Sequence, residues 1–156
     1  MRRAALALTA LLLAAAPAAA QQKMSWYATE TDQGGALVFG VPDSEDALLF
    51  FLCERGADTM VAQSLIGSKE LEKDGEAQLV LSSGGVKKTF AGKGVPDEKV
   101  ERIDVEAAGK LADLRALLKT RGPLNVEVKG ATQKIALTGA AAALTAFESY
   151  CKKPKS

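Results

Sequence analysis

Turn residues cut this chain into short pieces, and that spacing constrains the fold more than any other feature. Ser25–Thr31 ends at Asp32-Gln33-Gly34-Gly35, and the apolar run Ala36–Val41 stops at Pro42-Asp43. Ala47–Cys53 is seven apolar residues long and runs into Arg55-Gly56-Ala57-Asp58, which leads to Thr59–Leu65. Pieces this short, rich in β-branched and aromatic residues and bounded by Gly, Pro and Asp, predict antiparallel strands joined by hairpins. The continuous Ala-Leu-Leu-Phe-Phe-Leu-Cys run predicts a central strand buried on both faces.

The rest of the chain repeats the theme. Ala77–Leu81 and Val86–Phe90 flank Ser82-Ser83-Gly84-Gly85, a hairpin link. Gly92, Gly94 and Pro96 predict a loop. Val100–Ala107 sets Ile103, Val105 and Ala107 on one side and Arg102, Asp104 and Glu106 on the other, a strand with one wet face. Leu124–Lys129 alternates likewise, and Gln133–Leu137 pairs with it across Gly130-Ala131.

Two segments switch to a helical period. Lys110–Thr120 carries Leu111, Leu114, Leu117 and Leu118 and ends at Gly122-Pro123. Ala140, Leu144, Phe147 and Cys151 recur at i, i+4, i+7 and i+11, one face of an amphipathic helix. The expected fold is therefore a single, mainly antiparallel β domain of about eight strands, a sandwich or partly open barrel. One inserted helix and one C-terminal helix pack against it.

The first twenty residues read as a secretory signal. Arg2-Arg3 is followed by the apolar stretch Ala4–Ala16, then Pro17 and Ala18-Ala19-Ala20 before Gln21. The apolar core is too short for a membrane anchor. Cleavage after Ala20 leaves residues 21–156, 156 − 20 = 136 residues, one domain. In an oxidising compartment two cysteines are expected to pair. Cys151 lies on the inward stripe with Phe147 and Leu144, and Cys53 ends the most apolar strand. A Cys53–Cys151 disulfide is the one specific site predicted.

Charge and composition exclude several functions. Without Arg2 and Arg3 the chain holds 18 basic and 19 acidic residues, near neutrality that argues against nucleic acid. The charge is uneven: 4 basic and 11 acidic residues in 21–76 (−7), 14 and 8 in 77–156 (+6). Interleaving of the two halves is the simple expectation, and a dipolar surface the sharper one. The absence of histidine removes Ser-His-Asp and Cys-His catalysis and histidine-based zinc sites.

No remaining pattern nominates chemistry. Ser149-Tyr150-Cys151-Lys152 fits S-x-x-K, but no S-D-N or K-T-G accompanies it. Gly92-Lys93-Gly94 lacks the spacing of a phosphate loop, and Asp43-Ser44-Glu45-Asp46 lacks the glycine of a calcium loop. Trp26 reads as a core anchor rather than the lining of a binding surface, and Lys152-Lys153-Pro154-Lys155 as a solvated tail. No catalytic, cofactor-binding or metal-binding residue is predicted.

Trp26, Val38-Phe39-Gly40-Val41-Pro42, a cysteine ending an apolar strand and Leu137-Thr138-Gly139-Ala140-Ala141 before a cysteine-bearing helix form a pattern. It resembles small uncharacterised periplasmic proteins of alanine-rich proteobacteria and, more distantly, the invasion-associated locus B proteins. That likeness implies a β-sandwich followed by a small-residue segment and carries no site residue over. The functional expectation is an exported, non-enzymatic periplasmic or secreted protein, with no cofactor, that meets another envelope or secreted protein. The alternatives are a binder of a small apolar or anionic molecule and, last, a hydrolase.

Overall fold

A computed structural model describes residues 23–154. The predicted signal segment 1–20, its Ala20–Gln21 junction and Lys155 of the tail lie outside the described residues. The chain forms β1 (Ser25–Glu30), β2 (Gly34–Gly40), β3 (Ala47–Glu54), β4 (Thr59–Ser64), β5 (Glu76–Ser83), β6 (Val86–Asp97) and β7 (Arg102–Lys110). Helix α1 (Leu111–Leu118), strands β8 (Leu124–Val128) and β9 (Ala131–Ile135) and helix α2 (Ala140–Lys152) follow.

All nine strands join one sheet in the order β1-β2-β3-β4-β7-β6-β5-β8-β9, and each neighbouring pair is antiparallel. The sheet curls into a half-barrel. The mainly antiparallel β fold with an inserted and a C-terminal helix is as the sequence predicts. Of the two arrangements it allowed, the single curled sheet is the partly open barrel, with nine strands. Within the sheet the strands of the acidic and basic halves do not alternate, since β1–β4 lie side by side and the later strands continue beyond β4. The halves meet instead where helix α2 of the basic half packs on β1 and β2.

The inner face of the sheet and the two helices share one core. An inner row runs in register through Ala28, Leu37, Phe51, Ala62, Ala107, Gly92 and Ala77. Leu114, Leu117 and Leu118 of α1 and Ala140, Ala143, Leu144, Phe147 and Cys151 of α2 are buried against this face. Helix α2 lies on β1 and β2, and α1 on β5, β6 and β7. Cys53 and Cys151 form the predicted disulfide, with Cα atoms 5.7 Å apart. Both are buried.

Four local expectations are corrected. Gly92, Gly94 and Pro96 lie inside β6 rather than in a loop. A Cβ at Gly92 would strike the Glu106 carbonyl, and one at Gly94 the Glu72 carbonyl, so glycine here answers close backbone approach and not a turn. Gly34-Gly35 likewise starts β2, because a side chain at Gly35 would meet Phe147 and Tyr150 of α2 at 3.0–3.3 Å. The turn between β8 and β9 is Lys129-Gly130, so β9 spans Ala131–Ile135 and not Gln133–Leu137. Finally, β3 is not buried on both faces: Leu49, Phe51 and Cys53 are inside, while Leu52 is 41% exposed.

Candidate functional site

Alternation along a strand sends every second side chain away from the core. On the outer face of β1–β4 this exposes an apolar surface. Thr29, Ala36, Leu52, Val61 and Ala108 stand in register across five adjacent strands, and none is charged. Beside them runs a second row, Tyr27, Val38, Phe50 and Gln63, which turns charged only at Glu106, Lys93 and Glu76. Leu52 and Val61 face each other across β3 and β4, at 41% and 39% exposure. Phe50 and Tyr27 are half-buried, and Ala36 and Val38 are buried between the outer side chains.

Acid surrounds this patch at the strand ends. Exposed Asp32 lies in the β1–β2 turn; Asp43, Glu45 and Asp46 occupy the β2–β3 turn; Glu54 and Asp58 flank the β3–β4 turn. Burial, and then the charge of Asp43, push the Tyr27 phenol above its ordinary pKa. Three basic groups nearby are engaged. Arg55 bonds Glu30 at 3.0 Å, and Lys99 reaches Glu45 at 2.5 Å. Lys153 pairs with Glu30 at 2.7 Å; that hydrogen bond, foremost, holds the Glu30 carboxyl below its usual value.

The residues singled out in the sequence are placed as follows. Trp26 is a core anchor: 7% exposed, stacked on Phe51 at 6.4 Å and tilted against Phe39 at 5.3 Å. The Ser149 hydroxyl is exposed and donates to the Ala146 carbonyl at 2.6 Å, back-bonding its own helix. Ser44 is spent within its turn, donating to the Val41 carbonyl at 3.0 Å and accepting from the Asp46 amide at 3.1 Å. Among the described residues, no three His, Cys, Asp or Glu side chains gather in a way that could hold a metal ion. The tail residue Lys153 also sits over the Tyr150 ring, 5.4 Å from its centroid.

The sequence missed an ionic cluster. Arg102 contacts Asp97 at 2.9 Å and Asp104 at 2.8 Å, beside an open cleft of about 670 Å³ lined by Leu71, Pro96 and Ile103. Asp104 points to the outer side as the alternation required, but it is only 2% exposed. Burial raises its pKa despite the opposing Arg102 hydrogen bond and charge, with Asp97 adding to the rise. Asp97 moves the other way, held down first by the Lys99 backbone amide. The segment 65–75 crosses these strands, with Ser68 N donating to the Ile103 carbonyl and Asp74 N to that of Gly94. Only that long-range crossing distinguishes Asp104 from a solvated strand residue.

A smaller cleft of about 420 Å³ opens at the disulfide, between the β3–β4 turn and both helices. Ala57, Leu111, Ala112 and Cys151 line it, with Arg115 and Glu148 paired at 2.6 Å on its wall. No family model, curated protein or solved structure matches this chain. The resemblance to the invasion-associated locus B proteins therefore rests on the quoted residues alone.

Proposed function

We propose that this chain is an exported, non-enzymatic protein that works by binding another protein of the envelope or the secreted space. The observation that carries this reading is the outer face of β1–β4, where Leu52 and Val61 stand side by side in an uncharged row five strands wide. Isolated exposed apolar residues are ordinary, but a contiguous patch rimmed by polar groups marks a contact site. The strongest apolar run of the described chain, Ala47–Cys53, supplies the centre of this patch. The long-range disulfide supports export, since such bonds persist in oxidising compartments. Among the described residues no helix is long and apolar enough to cross a membrane.

A crosslinking pull-down from intact producing cells tests the reading, with Leu52→Glu/Val61→Glu as the comparison. A partner recovered with the native chain and lost with the double variant supports it. Equal recovery with both, or none with either, removes it. The disulfide cleft favours a second reading, a carrier of a small apolar or anionic molecule, because its volume and apolar lining suit a compact ligand. That reading predicts a raised melting temperature with such a ligand and loss of the rise in Ala112→Trp.

A further inference from the structure

The ring of acid around the outer face of β1–β4 says what kind of partner fits. We infer that the occupant is a different protein whose contact surface has an apolar centre ringed by lysine or arginine; this deepens the contact reading above and rests on it. Residues 23–64, which build these four strands and their turns, carry 2 basic and 7 acidic side chains, a net charge of −5. All three turns contribute, so acid brackets the Leu52–Val61 centre from both ends of the strands. Lys99 and Lys153 reach in from outside this segment and pair with Glu45 and Glu30, which brings the face to −5 + 2 = −3, still net acidic, with Asp32, Asp43, Asp46 and Asp58 at the turns.

Charge decides between occupants. A second copy laid patch on patch would oppose net acid with net acid at contact, well inside a Debye length of about 8 Å. Like charges so juxtaposed disfavour the wrong partner. Nucleic acid and anionic lipid carry the same sign and are repelled. A basic rim is attracted, which speeds encounter, and the apolar centres then exclude water between them. Neutral rims gain only the second effect.

The test places a photoreactive phenylalanine analogue at Leu52, irradiates producing cells and maps the adduct by mass spectrometry. The same probe at Thr132, exposed on β9, is the control site. The expected adduct joins Leu52 to an apolar segment of another protein flanked by Lys or Arg. Its yield falls at least several-fold in Asp32→Asn/Asp43→Asn/Asp46→Asn; Asn tolerates the left-handed backbone at position 43, where φ is +60°. An adduct to an acidic or neutral segment of another protein, or full yield in the triple variant, overturns the inference and leaves the contact reading standing; an adduct between two copies overturns both. No adduct at Leu52, or equal adducts at Thr132, overturns both. The melting curve of the triple variant, expected to match the native one, separates lost binding from lost fold.

Discussion

Trp26 and Ala136 tie together the two ends of the sheet: the indole Nε1 on edge strand β1 donates at 2.8 Å to the carbonyl that follows edge strand β9. The two residues are 110 positions apart and their strands do not pair. A half-barrel has two open edges, and here one side chain spans the seam between them. Its ring also stacks in the core, so Trp26 couples closure to packing.

Separating those two roles gives the first prediction. Trp26→Phe keeps an aromatic ring but removes the donor and strands a carbonyl, at a cost of about 1–2 kcal/mol. Trp26→Ala also leaves a cavity and costs about 3–5 kcal/mol. Urea denaturation followed by circular dichroism measures both. A Trp26→Phe variant as stable as the native chain would show that the seam bond contributes nothing. Trp26 is the only tryptophan, so its fluorescence in the native protein reports directly on the seam.

The disulfide closes a span of 98 residues and fixes α2 onto β3. In the chain-entropy description such a loop is worth about 4–5 kcal/mol, a large share of the stability of a domain this size. Cys53→Ala/Cys151→Ala is expected to lower the unfolding free energy by about that much, and reduction of the native chain to do the same. Mass spectrometry of unreduced protein from the producing cell should find the bond intact and an N-terminus at Gln21. Two free thiols there, or an uncleaved leader, would contradict the export reading.

What the sequence disclosed was whatever a local period encodes. Alternation in Val100–Ala107 sets the two faces of β7, and the four-residue stripe of α2 aims Cys151 inward, as the structure has them. What it concealed depends on distant neighbours. Gly92 and Gly94 look like loop residues until the Glu106 and Glu72 carbonyls are beside them. A run such as Ala47–Cys53 has no period at all, so nothing local distinguishes a strand buried twice from one that presents Phe50 and Leu52 outward. The candidate contact face was invisible for that reason: register with β2 and β4, not composition, assembles it.

Asp104 and Asp97 predict opposite pH responses. The Asp104 pKa is raised, so its contribution to stability is fully present below the ordinary carboxyl value and is lost as pH rises through the folded-state value. Ionised Asp104 is therefore a net liability at neutral pH even with Arg102 beside it. Asp104→Asn should be more stable than the native chain near pH 7, and the gap should shrink as the pH falls. Asp97, with its pKa lowered, contributes above the ordinary value and loses that contribution as pH falls through its folded value. Asp97→Asn should thus lose stability near pH 7 and converge on the native chain in acid. Denaturation midpoints between pH 3 and 8 check both signs; parallel curves for the two variants would refute the assignment.

Leu49 and Leu52 lie on one strand three residues apart, and the contact reading assigns them opposite consequences. Leu49 is fully buried, so Leu49→Ala should cost about 2–5 kcal/mol. Leu52 is 41% exposed on the outer face, and Leu52→Ser should change stability by less than about 0.5–1 kcal/mol because the free chain leaves this side chain largely in water. Capture of the partner should show the reverse order, with Leu52→Ser impaired and Leu49→Ala retained at temperatures where it stays folded. Thermal melts paired with the crosslinking yield supply the two readouts. If Leu52→Ser destabilised the isolated chain as much as Leu49→Ala, its side chain would belong to the fold, and the outer face would lose its claim as the binding surface.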